Sequence, residues 1–80
     1  MFIVYVLKSR KDNKFYIGQT NNLLSGLRRH NEGRVQSTKY RLSLILVYSE
    51  NYATRSEATV REKYLKRLNG NSTFKEIIGM

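Results

Sequence analysis

The sequence predicts an α+β domain, a three-stranded and largely antiparallel sheet flanked by helices. Three observations predict it. Residues 2–8 are apolar at nearly every position, as in a central strand covered on both faces. Two later segments carry apolar residues at helical spacing behind capping side chains. Eighty residues without cysteine or proline leave one small core to hold everything. The predicted order is β-β-α-β-α-α, one domain over residues 1–80.

Each element has its own signal. Lys11-Asp12-Asn13-Lys14 reads as a turn, because Asn tolerates the positive φ of a tight hairpin. Phe15 to Gln19 is the return strand. If Asp12-Asn13 is a two-residue loop, Tyr5, Tyr16 and Gly18 share one face of the hairpin. Val4, Val6, Phe15 and Ile17 then share the other, with the helices' core. Asn21 or Asn22 caps a helix from Leu23 to about Glu32, which Gly33 ends. Within it Leu23, Leu27 and His30 span about 60° of arc, so His30 lies on or beside the buried stripe. Gly26 costs that helix about 1 kcal/mol relative to alanine. Leu44 to Tyr48 is a third strand, apolar on both faces. Thr54 and Glu57 form a capping box for a helix reaching about Asn69, with Gly70 closing it. Its stripe is Ala58, Leu65 and Leu68, and Glu62 lies about 40° from Ala58, at the stripe's edge. Thr73 with Glu76 marks a last short helix, packed back through Phe74, Ile77 and Ile78.

Charge narrows the function. Fifteen Lys and Arg against six Asp and Glu give a net +9, which calls for an anionic partner such as nucleic acid. The polar segment 34–42 adds Arg34, Lys39, Tyr40 and Arg41 to Arg28 and Arg29. Neither long helix pairs a wide apolar face with a basic one, which argues against a membrane surface. The absence of cysteine excludes a disulfide framework and a thiolate zinc site. No apolar run is long enough to span a bilayer, and no basic leader precedes Phe2, so a cytoplasmic protein is expected.

The ordered pieces resemble one family. Tyr5 in Val4-Tyr5-Val6, followed by Tyr16-Ile17-Gly18, is similar to the two-part signature of the GIY-YIG nuclease superfamily. The first half keeps only its tyrosine, and the second is intact. Leu27-Arg28-Arg29-His30-Asn31-Glu32-Gly33 resembles that family's Leu-x-x-His-Asn-x-Gly helix. Ser56-Glu57-Ala58, Arg61-Glu62 and Leu65-Lys66 resemble its metal-binding helix. The likeness covers about residues 2–68, and is closest to small stand-alone bacterial members and to the catalytic module of the excision-repair incision subunit.

The resemblance implies a metal-dependent DNA endonuclease, with Tyr5, Tyr16, His30 and Glu62 converging on one phosphodiester. Tyr5 or Tyr16 would activate or orient water, or hold the scissile phosphate. His30 would assist proton transfer or bind phosphate. Glu62 would be the sole protein ligand of Mg²⁺, or of another divalent ion such as Mn²⁺. Gly18, Arg28, Arg29, Arg34, Lys39 and Arg41 are the expected DNA-contacting residues. Read singly, His30 is equally a core histidine, and Glu62 equally a helix-surface residue paired with Lys66 at i+4.

Gly26 is the chief departure, since the family's helix carries a phosphate-gripping arginine four residues before the histidine. An alternative is therefore a catalytically impaired basic nucleic-acid-binding module on the same fold. Arg29 points about 60° from the Gly26 direction and Arg28 about 160° away, so Arg29 is the better surrogate. The family's C-terminal asparagine has only Asn69 and Asn71 as candidates. So short a chain leaves little surface for reading base sequence, which favours structure-directed single-strand cutting or a protein partner supplying specificity.

Overall fold

A computed structural model describes residues 1–33 and 44–79. The elements are β1 (Phe2–Ser9), β2 (Phe15–Thr20), α1 (Leu23–Asn31), β3 (Leu44–Tyr52), α2 (Arg55–Leu68) and α3 (Ser72–Ile77). The sheet runs β2-β1-β3, with both pairings antiparallel. The apolar run β1 is the central strand, and Val4, Val6 and Leu7 are fully buried.

The hairpin turn differs from the two-residue reading. Ser9 N–H donates to the Lys14 carbonyl (2.9 Å) and Asn13 N–H to the Ser9 carbonyl (2.9 Å), enclosing a loop of four residues, Arg10–Asn13. Asn13 does take the positive φ, 60°. Its neighbour Asp12 accepts from Lys14 N–H at 3.0 Å, and this side-chain turn competes with the tighter hairpin. The loop is longer by an even number, so the parity of the pairing survives. Tyr5 lies opposite Gly18 and Leu7 opposite Tyr16, on one face as expected.

Helices cover both faces, not one. On the Tyr5 face, Leu23 and Leu27 of α1 pack against Tyr5, Leu7 and Leu44. On the other, α2 brings Ala58 and Leu65 to Val4, while Phe74 and Ile78 close over Val6. The expectation placed all helices with Val4 and Val6 because α1's stripe could not be assigned a face from spacing alone.

The third strand is longer than predicted and carries a bulge. Val6 pairs with Tyr48 but Leu7 with Leu46, leaving Val47 as the extra residue. Val47 and Tyr48 therefore both pack towards Val6 and Phe74. Beyond Tyr48 the strand continues through polar residues to Tyr52, paired with Phe2. Its inward carboxylate, Glu50, makes this possible by accepting from Tyr48, from Tyr52 (2.6 Å) and twice from Arg61 (2.9 and 3.0 Å).

The caps of the first two helices match the expectation. Asn22 caps α1, and Thr54 with Glu57 forms the reciprocal box on α2. The third does not: Asn71 caps α3 by accepting from Phe74 N–H at 2.8 Å, in place of Thr73. Asn at this position is as good an acceptor as Thr and sits before the Phe74 turn.

Candidate active site

The centre of β1 carries Tyr5, whose ring crosses over Gly18 on the neighbouring edge strand. A Cβ at position 18 would lie 2.6 Å from the Tyr5 hydroxyl and 2.8 Å from Cζ. Only glycine lets the ring take this path. The hydroxyl then meets His30 Nε2 at 3.0 Å, with the two rings edge to face at 79°. Both residues are buried, at 7% and 8% exposure. The stripe position of His30, one turn beyond Leu27, aims it at the sheet rather than outwards.

Burial sets the charge of this pair. It pushes the Tyr5 phenol above its ordinary value, and the Glu62 carboxylate adds to this while the Arg29 guanidinium opposes it. Burial also lowers His30, and the positive charge of Arg29 lowers it further. At neutral pH both groups are therefore uncharged.

Two hollows open beside the pair, along the β2 edge. One, of about 230 Å³, is lined by Tyr5, Gln19, Thr20, Gly26, Arg29 and His30. Arg29 thus borders the space that Gly26 leaves. A Cβ on Gly26 would meet Thr20 at 3.5 Å, an ordinary contact. The other hollow, of about 370 Å³, is lined by Tyr5, Tyr16, His30, Lys66 and Asn69 among others. Tyr16 is half-buried there and packs on the Tyr5 cluster.

Glu62 arrives from α2, on the opposite side of the sheet edge. Its Oε1 accepts from Gln19 Nε2 at 2.9 Å and its Oε2 from Lys66 Nζ at 2.9 Å. The i+4 pair with Lys66 is thus present. So is a tether to β2, and the carboxylate is only 15% exposed. Gln19 Nε2 also donates to Thr59 at 2.8 Å. The negative charge of Glu62 is felt at Tyr5, which ties the two sides of the edge together.

A divalent ion would find one carboxylate here. No group of three or more His, Cys, Asp or Glu suited to a metal occurs among the described residues. A single hard oxygen donor beside an exposed ammonium suits Mg²⁺ or Mn²⁺, since Mg²⁺ keeps several waters. It does not suit zinc, which wants three or four protein ligands.

The predicted basic residues divide. Arg28 and Arg29 are exposed on the last turn of α1, and Arg29 alone of the two lines the recess. Arg34, Lys39 and Arg41 lie outside the described residues. Of the two asparagines, Asn71 is spent on capping, while Asn69 lines the larger hollow and donates to the Phe15 carbonyl at 3.2 Å. Sequence reasoning missed Gln19. Its signal was available: it follows Phe15 and Ile17 at alternate positions, a polar side chain on an apolar face.

Comparison with known proteins gives the class. The family model described as the GIY-YIG catalytic domain matches residues 1–76. This chain therefore belongs to the GIY-YIG nuclease-domain family. It is similar to the small UPF0213 protein YazA of Bacillus subtilis, 40% identical over 65 residues, covering 80% of this chain and 65% of that one. The UPF0213 protein SH2523 of Staphylococcus haemolyticus is 37% identical over 75 residues, covering 92% of this chain and 90% of the relative. The UPF0213 protein CPE1444 of Clostridium perfringens is 42% identical over 72 residues, covering 89% and 76%. The chain thus spans just under two thirds of the Bacillus subtilis relative and most of the other two. No solved structure matches the chain. Among the described residues, no helix is long and apolar enough to cross a membrane.

Proposed function

We propose that this chain is a divalent-metal-dependent DNA endonuclease domain that makes structure-directed single-strand cuts. The observation that carries the reading is the Tyr5–His30 hydrogen bond, buried, neutral and bordering two hollows. A neutral phenol cannot by itself take a proton from water, but it can pass one on. The Tyr5 oxygen receives a proton from the attacking water as its own hydroxyl proton moves to His30 Nε2. The resulting hydroxide attacks phosphorus, the bond to the leaving oxygen breaks, and the imidazolium can return its proton. Tyr16 orients the substrate in the same hollow, and Arg29 neutralises a non-bridging phosphate oxygen. Glu62 holds the divalent ion, Mg²⁺ or Mn²⁺, which when bound supplies charge stabilisation and a lowered water pKa.

Gly18, Arg28, Arg34, Lys39 and Arg41 complete the proposed DNA contacts. The work is cytoplasmic, with a protein partner supplying what specificity so small a surface lacks.

A Mg²⁺-dependent nicking assay on plasmid and on branched DNA tests this. Cutting by the chain as written, abolished by Glu62→Ala, is the expected result. Cutting that survives Glu62→Ala refutes the metal role. The second reading, an impaired binding module, is favoured by the recess at Gly26. It predicts that only Gly26→Arg cuts, or that neither cuts while both bind duplex with a steep salt dependence.

A further inference from the structure

We propose that Lys66 is a displaceable cation: it holds Glu62 until a divalent ion takes that carboxylate, then engages a substrate phosphate in the hollow it lines. This rests on the metal reading of Glu62 above. The two carboxylate oxygens are held differently. Oε1 is tethered to β2 through Gln19, whose amide is fixed a second time by Thr59. Oε2 meets only the lysine among the described residues, at 2.9 Å. The exchangeable oxygen is therefore Oε2, and Lys66 is what exchange would remove.

The lysine is built to leave. Its side chain is 56% exposed, and an ion pair so wet contributes little. A dication on the carboxylate would repel the ammonium directly. The four-carbon stem carries a point charge that can be re-aimed, which a bidentate arginine cannot do as readily. Lys66 also has somewhere to go, because it lines the hollow shared by Tyr5, Tyr16 and His30. Two other cations of α2 are committed elsewhere. Arg61 grips Glu50, and Arg55 lies 4.6 Å over the Phe2 ring. One ammonium thus balances the carboxylate before the metal arrives and the phosphate afterwards.

The test is Mn²⁺ binding to the full chain without DNA, read from the free-ion paramagnetic resonance signal, beside the nicking assay. Lys66→Met is expected to tighten Mn²⁺ about two- to fivefold. The same variant is expected to cut at least tenfold more slowly, with Lys66→Arg recovering part of the loss. Melting should be unchanged, given the exposure of the side chain. A merely structural lysine would not move the two readouts in opposite directions. If Lys66→Met binds Mn²⁺ no tighter than the original chain while Glu62→Gln loses the ion, the displacement is overturned and the metal reading stands. Undiminished cutting by Lys66→Met overturns the phosphate role. If Glu62→Gln binds Mn²⁺ as well as the original, both readings fall together.

Discussion

Glu50 and Glu62 are equally exposed, each showing 15% of its side chain, and both face the α2 side of the sheet. They differ in what holds them. Glu50 receives two tyrosine hydroxyls and a two-pronged arginine. Burial alone would raise its pKa, but Arg61, Tyr48 and Tyr52 outweigh that and hold it below the usual carboxylate range. Burial and, after it, Glu50 push the Tyr52 phenol up to about 12. Glu62 receives one amide N–H and one loose ammonium. A carboxylate saturated by rigid donors fastens β3 to α2. One with an exchangeable partner keeps an oxygen available. Burial does not separate the two acids here, whereas the stiffness of their partners does.

Exchanging each glutamate for glutamine should break the comparison most sharply. Glu62→Gln is expected to slow nicking at least about 100-fold, with the melting temperature nearly unchanged. Glu50→Gln is expected to lose about 1–3 kcal/mol in chemical denaturation, because charge-assisted bonds from Arg61 go unanswered, while cutting below the melting range persists. Equal effects of the two swaps on either readout would erase the distinction. Next in size is Gly18→Ala. The methyl would displace the Tyr5 ring from its path to His30, and nicking should fall about 10- to 100-fold.

Acid should separate the two sides of the sheet more gently. His30 is lowered from 6.5, so the unfolded chain takes that proton first and stability declines as pH drops below 6.5 towards the folded value. Glu50 is lowered from 4.5, so its contribution persists down to about 4.5 and is lost as pH falls through its folded value. A melting-temperature profile should show both declines, and His30→Asn should remove the upper one. The smallest effect expected is for Gly26→Ala. Its methyl meets Thr20 at an ordinary 3.5 Å, so the helix should gain up to about 1 kcal/mol. A loss instead would mean that the recess itself is needed for folding.

Much of this is legible in the sequence alone. Parity placed Tyr5, Tyr16 and Gly18 together, and it tolerated the wrong loop length because the error was even. Helical spacing put His30 on the stripe and Glu62 at its edge. The capping box ended the uncertainty at Thr54. Other features depend on contacts between distant segments. Which face α1 covers depends on how Asn22 turns the chain after β2. The length of β3 depends on β1 continuing beside it and on Arg61, eleven residues further on, meeting Glu50. Lys66 was visible as a helical partner of Glu62, but its place in the hollow with Tyr16 required the fold. Arg34, Lys39 and Arg41 fall outside the described residues.

The extra residue at Val47 makes β3 sensitive to counting. Before it, Leu44 pairs with Ser9 and Leu46 with Leu7; after it, Tyr48 pairs with Val6 and Glu50 with Val4. Deleting this one residue would restore a regular ladder with the pairings on either side unchanged, Leu44 still opposite Ser9 and Glu50 still opposite Val4. What is lost is Val47's own packing against Val6 and Phe74. A deletion away from the bulge would instead turn one half's side chains to the wrong face, so a single-codon deletion should be tolerated better at Val47 than elsewhere in the strand.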